Sequence, residues 1–157
     1  MYNWKTEGGG IMVRFRMIRI NTEQFAILCD ELPEDLNNIS IETRLRFKVS
    51  KDYRIAPMAR FSFVKDEMPL VVIEVCCEFV IHQEDWTKML KDNDIVVPKE
   101  TLEYLSAQTI GVARGVLHCK TEGTPLNVFI VPPVNVAAMI EGDLSMELNT
   151  EEEKNQE

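Results

Sequence analysis

The chain has 157 residues, of which 45% are hydrophobic and 27% charged, and this composition indicates one folded domain. No apolar run reaches the roughly 20 residues of a membrane helix, and the N-terminus lacks the apolar region of a signal peptide. Residues 141–157 hold seven of the 26 acids and one of the 17 bases, so they carry −6 of the net charge of −9. The nearly balanced remainder argues against a nucleic-acid-binding surface.

The sequence predicts neither an enzyme nor a cofactor or metal site. Its four cysteines, Cys29, Cys76, Cys77 and Cys119, form no CxxC pair, and we interpret them as small apolar residues in a reducing cytoplasm. Pairing Cys76 or Cys119 with one of the two histidines would give a nucleophile and a base, but no flanking motif supports such a pair.

The first strand is predicted just after a glycine-rich lead. Residues 1–10 end in three glycines and predict a flexible segment, so the single domain is assigned to residues 11–141. From Ile11 to Met17 apolar and polar residues alternate, which is typical of a strand. The apolar phase then shifts to Ile18 and Ile20, and this slip predicts a β-bulge.

Three further strands follow with short turns. Residues 39–49 alternate between apolar and polar side chains, and residues 59–63 repeat the pattern. The apolar face of the second strand comprises Ile39, Ile41, Leu45, Phe47 and Val49, and its polar face comprises Ser40, Glu42, Arg44, Arg46 and Lys48. Residues 70–81 have one unbroken apolar face, which predicts a central strand. Four consecutive strands with short turns predict an antiparallel meander.

The second half of the chain predicts helices that cover this sheet. Pro98 suits the first turn of a helix of roughly four turns, and Gly115 suits its end. The run Leu126–Val131 predicts an extended crossing segment, and Val134–Ile140 a second, shorter helix. Both helices are expected to pack on one face of the sheet, which gives an α+β fold of two layers.

The last segment differs in composition from the rest. Residues 142–157 are acidic and poor in apolar residues, so a disordered tail is predicted.

Short motifs along the chain resemble the SecB family of bacterial protein-export chaperones. They agree with the family in order and spacing over roughly residues 14–140, and they are Arg19–Thr22, Val72–Val75, Ile95–Pro98, Arg114–Gly115, Leu126–Asn127 and Pro133–Asn135. The chain departs from the family by extra residues between Gly115 and Pro125.

This resemblance implies an ATP-independent chaperone, or holdase, in the cytoplasm. Such a protein binds unfolded or precursor polypeptides in apolar grooves and assembles as a homodimer or homotetramer, without a cofactor. The client-binding residues implied here are Phe15, Met17, Ile39, Ile41, Phe47, Phe61 and Phe63. The same side chains are equally of the kind that fills a core, and the sequence leaves both interpretations open.

The polar face of the sheet gives a second expectation. Family members dock the translocase motor SecA through acids on the first and fourth strands; the fourth-strand acid matches Glu74, whereas the first-strand positions hold Gln24 and Leu28. Around Glu74 and Glu78, cations such as Arg44 and Arg46 would repel a positively charged partner. A dedicated protein-binding module, such as the chaperones of some toxin–antitoxin systems, is therefore the alternative function.

Overall fold

The structure is a computed structural model that describes residues 13–148, so the lead predicted at residues 1–10 lies outside the described part. Its strands are β1 (Phe15–Ile27), β2 (Ser40–Ser50), β3 (Arg54–Lys65), β4 (Met68–Ile81), β5 (Leu90–Lys91), β6 (Asp94–Val97) and β7 (Leu144–Glu147). Its helices are α1 (Gln83–Met89), α2 (Lys99–Thr121), a 3₁₀ turn (Pro125–Val128) and α3 (Val136–Met139).

The main sheet is antiparallel with the order β1-β4-β3-β2, and with the helices it confirms the α+β class. Only β2, β3 and β4 form a meander; β1 pairs with β4, so the predicted pairing of β1 with β2 is wrong. The 12 residues between β1 and β2 explain the difference, because they form a loop that crosses to the far edge rather than a tight hairpin. The strongly apolar β4 takes a central position, as predicted.

The phase slip in the first strand is confirmed. The pairing of β1 with β4 shifts in register between Met17 and Arg19, and again between Thr22 and Gln24. The first shift places Ile20 on the same face as Met17. This bulge therefore restores the alternation of apolar side chains that the sequence interrupts at Ile18.

Helix α2 packs against β3 and β4 and buries the central apolar face of the sheet. It has 23 residues and continues past Gly115, so the predicted end at that glycine is wrong. An exposed glycine inside a helix costs about 1 kcal/mol, but the buried stripe goes on through Leu117 and Thr121 and outweighs that cost. Residues Val116–Thr121 therefore lengthen α2, and Gly123, with φ of 76°, lies in the turn behind it.

The segment behind α2 is less regular than the sequence predicts. After the 3₁₀ turn, Phe129 and Val131 are buried in an extended stretch, and the predicted second helix is shortened to the four residues of α3. Arg114 holds this stretch in place, because its Nε donates to the carbonyl of Val131 at 2.7 Å and its Nη2 to that of Pro132 at 3.0 Å.

A small second sheet, in the order β5-β6-β7, was not predicted. It includes Leu144–Glu147, so the disordered tail predicted from residue 142 begins too early. Leu144, Met146 and Leu148 alternate with polar residues and pack against the core, and this pattern outweighs the acidic composition around them. Just before β7, the Asp143 Oδ1 accepts a hydrogen bond of 2.8 Å from the backbone N–H of Lys99, at the start of α2.

Arg14 connects the start of the main sheet to α1 rather than joining a row of cations. Its backbone N–H and its Nε both donate to Oδ2 of the buried Asp85 at 2.9 Å, and its Nη2 contacts Glu84 at 2.8 Å. Burial acts to raise the pKa of Asp85, but the hydrogen bonds from Arg14 outweigh it and lower that pKa below its ordinary value.

The Asp85→Asn variant is expected to lose stability in a manner that depends on pH. Because the pKa of Asp85 is lower in the folded state, the stabilisation is complete above the ordinary carboxyl range and is lost as the pH falls through the folded pKa. We expect a loss of about 2 kcal/mol in the free energy of unfolding near neutral pH, shrinking below about pH 4. Urea unfolding of both proteins at several pH values measures this, and an equal difference at all of them would contradict it.

Candidate functional site

The size of α2 decides which part of the inner face of the main sheet stays open. A helix is about 10 Å wide and strands lie about 4.8 Å apart, so one helix covers about two strands. Because α2 lies on the central strands β3 and β4, the inner faces of the edge strands β1 and β2 are only partly covered.

The predicted client-binding residues therefore divide into two groups. Phe61 and Phe63 on β3 are buried, with 0% and 2% of their surface exposed, and Phe63 stacks against Phe129 at 5.1 Å between ring centroids. These two belong to the core, so the prediction that they line an open groove is wrong for the chain as described. Ile39, Ile41 and Phe47, by contrast, are only half-buried.

The half-buried apolar residues of the second strand form a row that is interrupted at Thr43, and we call this row the β2 strip. It comprises Ile39, Ile41, Leu45, Phe47 and Val49. The side chains lie beside the covered face of β3, where Ile41 is opposite Phe63 and Phe47 is opposite Pro57. On its other side β2 has no neighbouring strand within residues 13–148, so apolar side chains and unpaired backbone groups are available together.

The first strand is open in a similar way. Phe15 is held by aromatic contacts to Phe79 and Tyr104, at 5.7 and 5.4 Å between ring centroids, and Met17 is half-buried beside it. Further along the same edge, Ile18 and Ile20 are exposed, Ile20 by 51%. Sequence periodicity assigned Ile20 to an apolar face. Its side chain is nevertheless exposed, because α2 packs mainly on β3 and β4.

The outer face of the main sheet, opposite α2, is polar and mostly basic, and we call it the basic face. Its cations are Arg16, Arg19, Arg44, Arg46, Lys48, Arg54 and Arg60, and its acids are Glu23, Glu42, Glu74 and Glu78. All four predicted docking residues, Glu74, Glu78, Arg44 and Arg46, lie on it. Arg16 is on the far edge from β2, so the predicted row of cations shared by the first two strands does not form.

Two acids of the basic face, Glu74 and Glu78, are already paired. Glu74 is buried and its Oε2 lies 3.0 Å from the Nη2 of Arg46. Glu78 contacts Arg54 at 3.4 Å and Arg19 at 3.9 Å. Neither acid is therefore free to bind a basic partner.

Two arginines stand side by side on this face. Arg44 on β2 is directly opposite Arg60 on β3, and Arg60 donates to the side-chain oxygen of Gln24. Among residues 13–148, no carboxylate lies within salt-bridge distance of Arg44, Arg60 or Lys48. Like charges on adjacent positions repel each other, so this pair favours a bound anion.

A cleft of about 1020 Å³ lies at one end of the main sheet. Lys48, Ala56, Cys76 and Glu78 of the outer face contribute to its wall, together with Lys51 and Arg54. The last described residues, Met146 to Leu148, form another part of the wall. Sequence reasoning missed this cleft because it missed β7, although the alternation of Leu144, Met146 and Leu148 was a usable signal.

Among the candidate nucleophiles and bases, Cys76 is buried in the main sheet and His82 caps a helix. Burial raises the pKa of the Cys76 thiol to about 11, which opposes formation of a reactive thiolate at neutral pH. The His82 Nδ1 accepts from the backbone N–H of Glu84 at 3.4 Å and so caps α1. Within the described residues, no group of three or more histidines, cysteines or acids is placed to hold a metal ion.

Comparison with known proteins adds no identification. A scan against models of protein families finds no match, and a search of curated proteins finds no similar sequence. Of the helices between residues 13 and 148, none is both long enough and apolar enough to cross a membrane.

Proposed function

We propose that this protein is an ATP-independent chaperone that binds unfolded or precursor polypeptides on the β2 strip. The observation that carries the proposal is the combination of five half-buried apolar side chains with a free strand edge. An extended polypeptide forms backbone hydrogen bonds to such an edge and places alternate side chains on the apolar row. This mode of binding needs no particular sequence, which suits varied unfolded clients.

Suppression of aggregation tests this function. The protein, mixed at near-stoichiometric ratios with several unrelated, chemically unfolded enzymes, should slow the rise in light scattering of each of them. Protection of none, with an inert protein as the control, would refute the chaperone proposal.

A dedicated protein-binding module is the second candidate, and the basic face favours it. On this face Glu74 and Glu78 are already paired, whereas Arg44 and Arg60 have no carboxylate partner among residues 13–148. Such a surface fits an acidic segment of one particular partner better than the positively charged segment expected of SecA. For this reason the chaperone proposal does not include docking to SecA or a role in export. A module of this kind would protect no unrelated client in the aggregation assay.

We also propose that the chain assembles as a homodimer or homotetramer through the edge of β1. That edge exposes Ile18 and Ile20 beside unpaired backbone groups, and pairing with a second copy covers both. Light scattering should give a multiple of the 18.1 kDa chain mass. Ile20→Lys should lower that mass, whereas Val128→Lys, at a similarly exposed position away from this edge, should not. A monomer at all micromolar concentrations would contradict the proposal.

A further inference from the structure

The basic face carries a charge that the described part of the chain leaves unbalanced. Seven cations face four acids on it, although the chain as a whole has a net charge of −9. Arg16, Arg44, Arg60 and Lys48 are the members without a carboxylate partner among residues 13–148, and Arg44 and Arg60 are cross-strand neighbours. A surface of this kind attracts an acidic segment.

The chain itself supplies such a segment at the edge of this face. The described part ends at Leu148 in the wall of the cleft, where the cations Lys48, Lys51 and Arg54 lie among the acids Glu23, Asp52, Glu78 and Glu147. The nine residues that follow contain Glu151, Glu152, Glu153 and Glu157 against a single lysine, a net charge of −3. Acidic residues therefore follow directly on the point where the chain passes the cations.

The remaining length is sufficient to reach the two neighbouring arginines. Arg44 is four positions from Lys48 along β2, which corresponds to about 13 Å. Glu151, Glu152 and Glu153 lie three to five residues beyond Leu148, which corresponds to about 10–18 Å in extended conformation, so the later two can reach Arg44 and the neighbouring Arg60 without disturbing β7.

We propose that residues 149–157 bind the basic face of their own chain, with the glutamates at Arg44 and Arg60. Bound there, the segment neutralises the unbalanced cations and competes with any acidic partner for the same surface. The proposal does not depend on the chaperone function, because the β2 strip lies on the opposite face of the sheet.

Zero-length carbodiimide cross-linking of the full chain tests the contact, because the reagent joins a carboxylate to an amine only when they touch. Lys48 is a native amine on the basic face, and R44K places another at the proposed anchor. At low salt, mass spectrometry should find Glu151–Glu153 linked to both positions. Lys91, an exposed lysine on β5, is the internal control and should give far less product.

Three further results decide the matter. High salt should remove most of the product, since exposed ion pairs are screened by salt. R44Q/R60Q should reduce the link to Lys48 severalfold; Arg46 is left in place because it pairs with the buried Glu74. Mixing isotopically light and heavy chains should give products within one chain only. Equal linking to Lys91 and Lys48, or products mainly between chains, would overturn the proposal.

Discussion

Replacing Ile41 and Phe47 by serine will weaken the binding of an unfolded polypeptide more than tenfold while the fold is retained. Both side chains are half-buried on the open inner face of β2, where a client gains contact area that the native chain leaves exposed. At about 25 cal/mol per Å² of buried apolar surface, each substitution should weaken the binding free energy of the client by about 1 kcal/mol. Two such losses exceed the roughly 1.4 kcal/mol that corresponds to tenfold in affinity.

The same strand provides a matched control. Glu42 and Lys48 alternate with Ile41 and Phe47 but lie on the outer face, so the Glu42→Ser and Lys48→Ser double variant should bind clients as the parent does. Val75→Ala, in the buried core, separates binding from stability because it lowers stability without altering the β2 strip. Affinity is measured by fluorescence anisotropy of a labelled unfolded peptide. Unchanged affinity in the strip variant would exclude this surface as the client site.

Deleting residues 143–157 will destabilise the protein strongly, whereas deleting residues 149–157 will not. The longer deletion removes β7, its pairing with β6, and the half-buried Leu144, Met146 and Leu148. It also removes Asp143, which accepts from the first N–H of α2. The cap contributes about 1 kcal/mol and the three side chains about 1 kcal/mol each, so the loss should be about 4 kcal/mol.

Thermal unfolding followed by circular dichroism distinguishes the two truncations. A loss of this size lowers Tm by about 8–15 °C in a domain of this length. Deleting residues 149–157 should shift it by no more than about 2 °C, because the contacts proposed for them are with exposed cations, and exposed ion pairs contribute little to stability. Asp143→Ala alone should account for about a quarter of the effect, because it removes the cap and leaves β7 in place. Equal Tm values for the two truncations would show that the small sheet contributes little to stability.

Period-two alternation predicted the strands of the main sheet because each depends on its own residues. Residues Ile39 to Val49 alternate with one exception, Thr43, and the phase slip at Ile18 is visible in the sequence alone. The short β7 was missed because three apolar residues within an acidic segment carry a weaker signal than the composition around them. The end of α2 was misplaced because Gly115 is a local signal, whereas Leu117 and Thr121 hold the helix through contacts made elsewhere.

The sequence by itself determined which side chains share a face of each strand, that β4 is central, and that Glu74 and Glu78 lie with Arg44 and Arg46. The shared faces follow from the alternation of side chains along each strand and from the burial of each apolar face. The central position of β4 follows from its strongly apolar composition. Only the tertiary structure decided which strands are neighbours, because pairing β1 with β4 joins residues more than 40 positions apart. The position of α2 then separated the buried Phe61 and Phe63 from the half-exposed Ile41 and Phe47, since one helix covers about two strands.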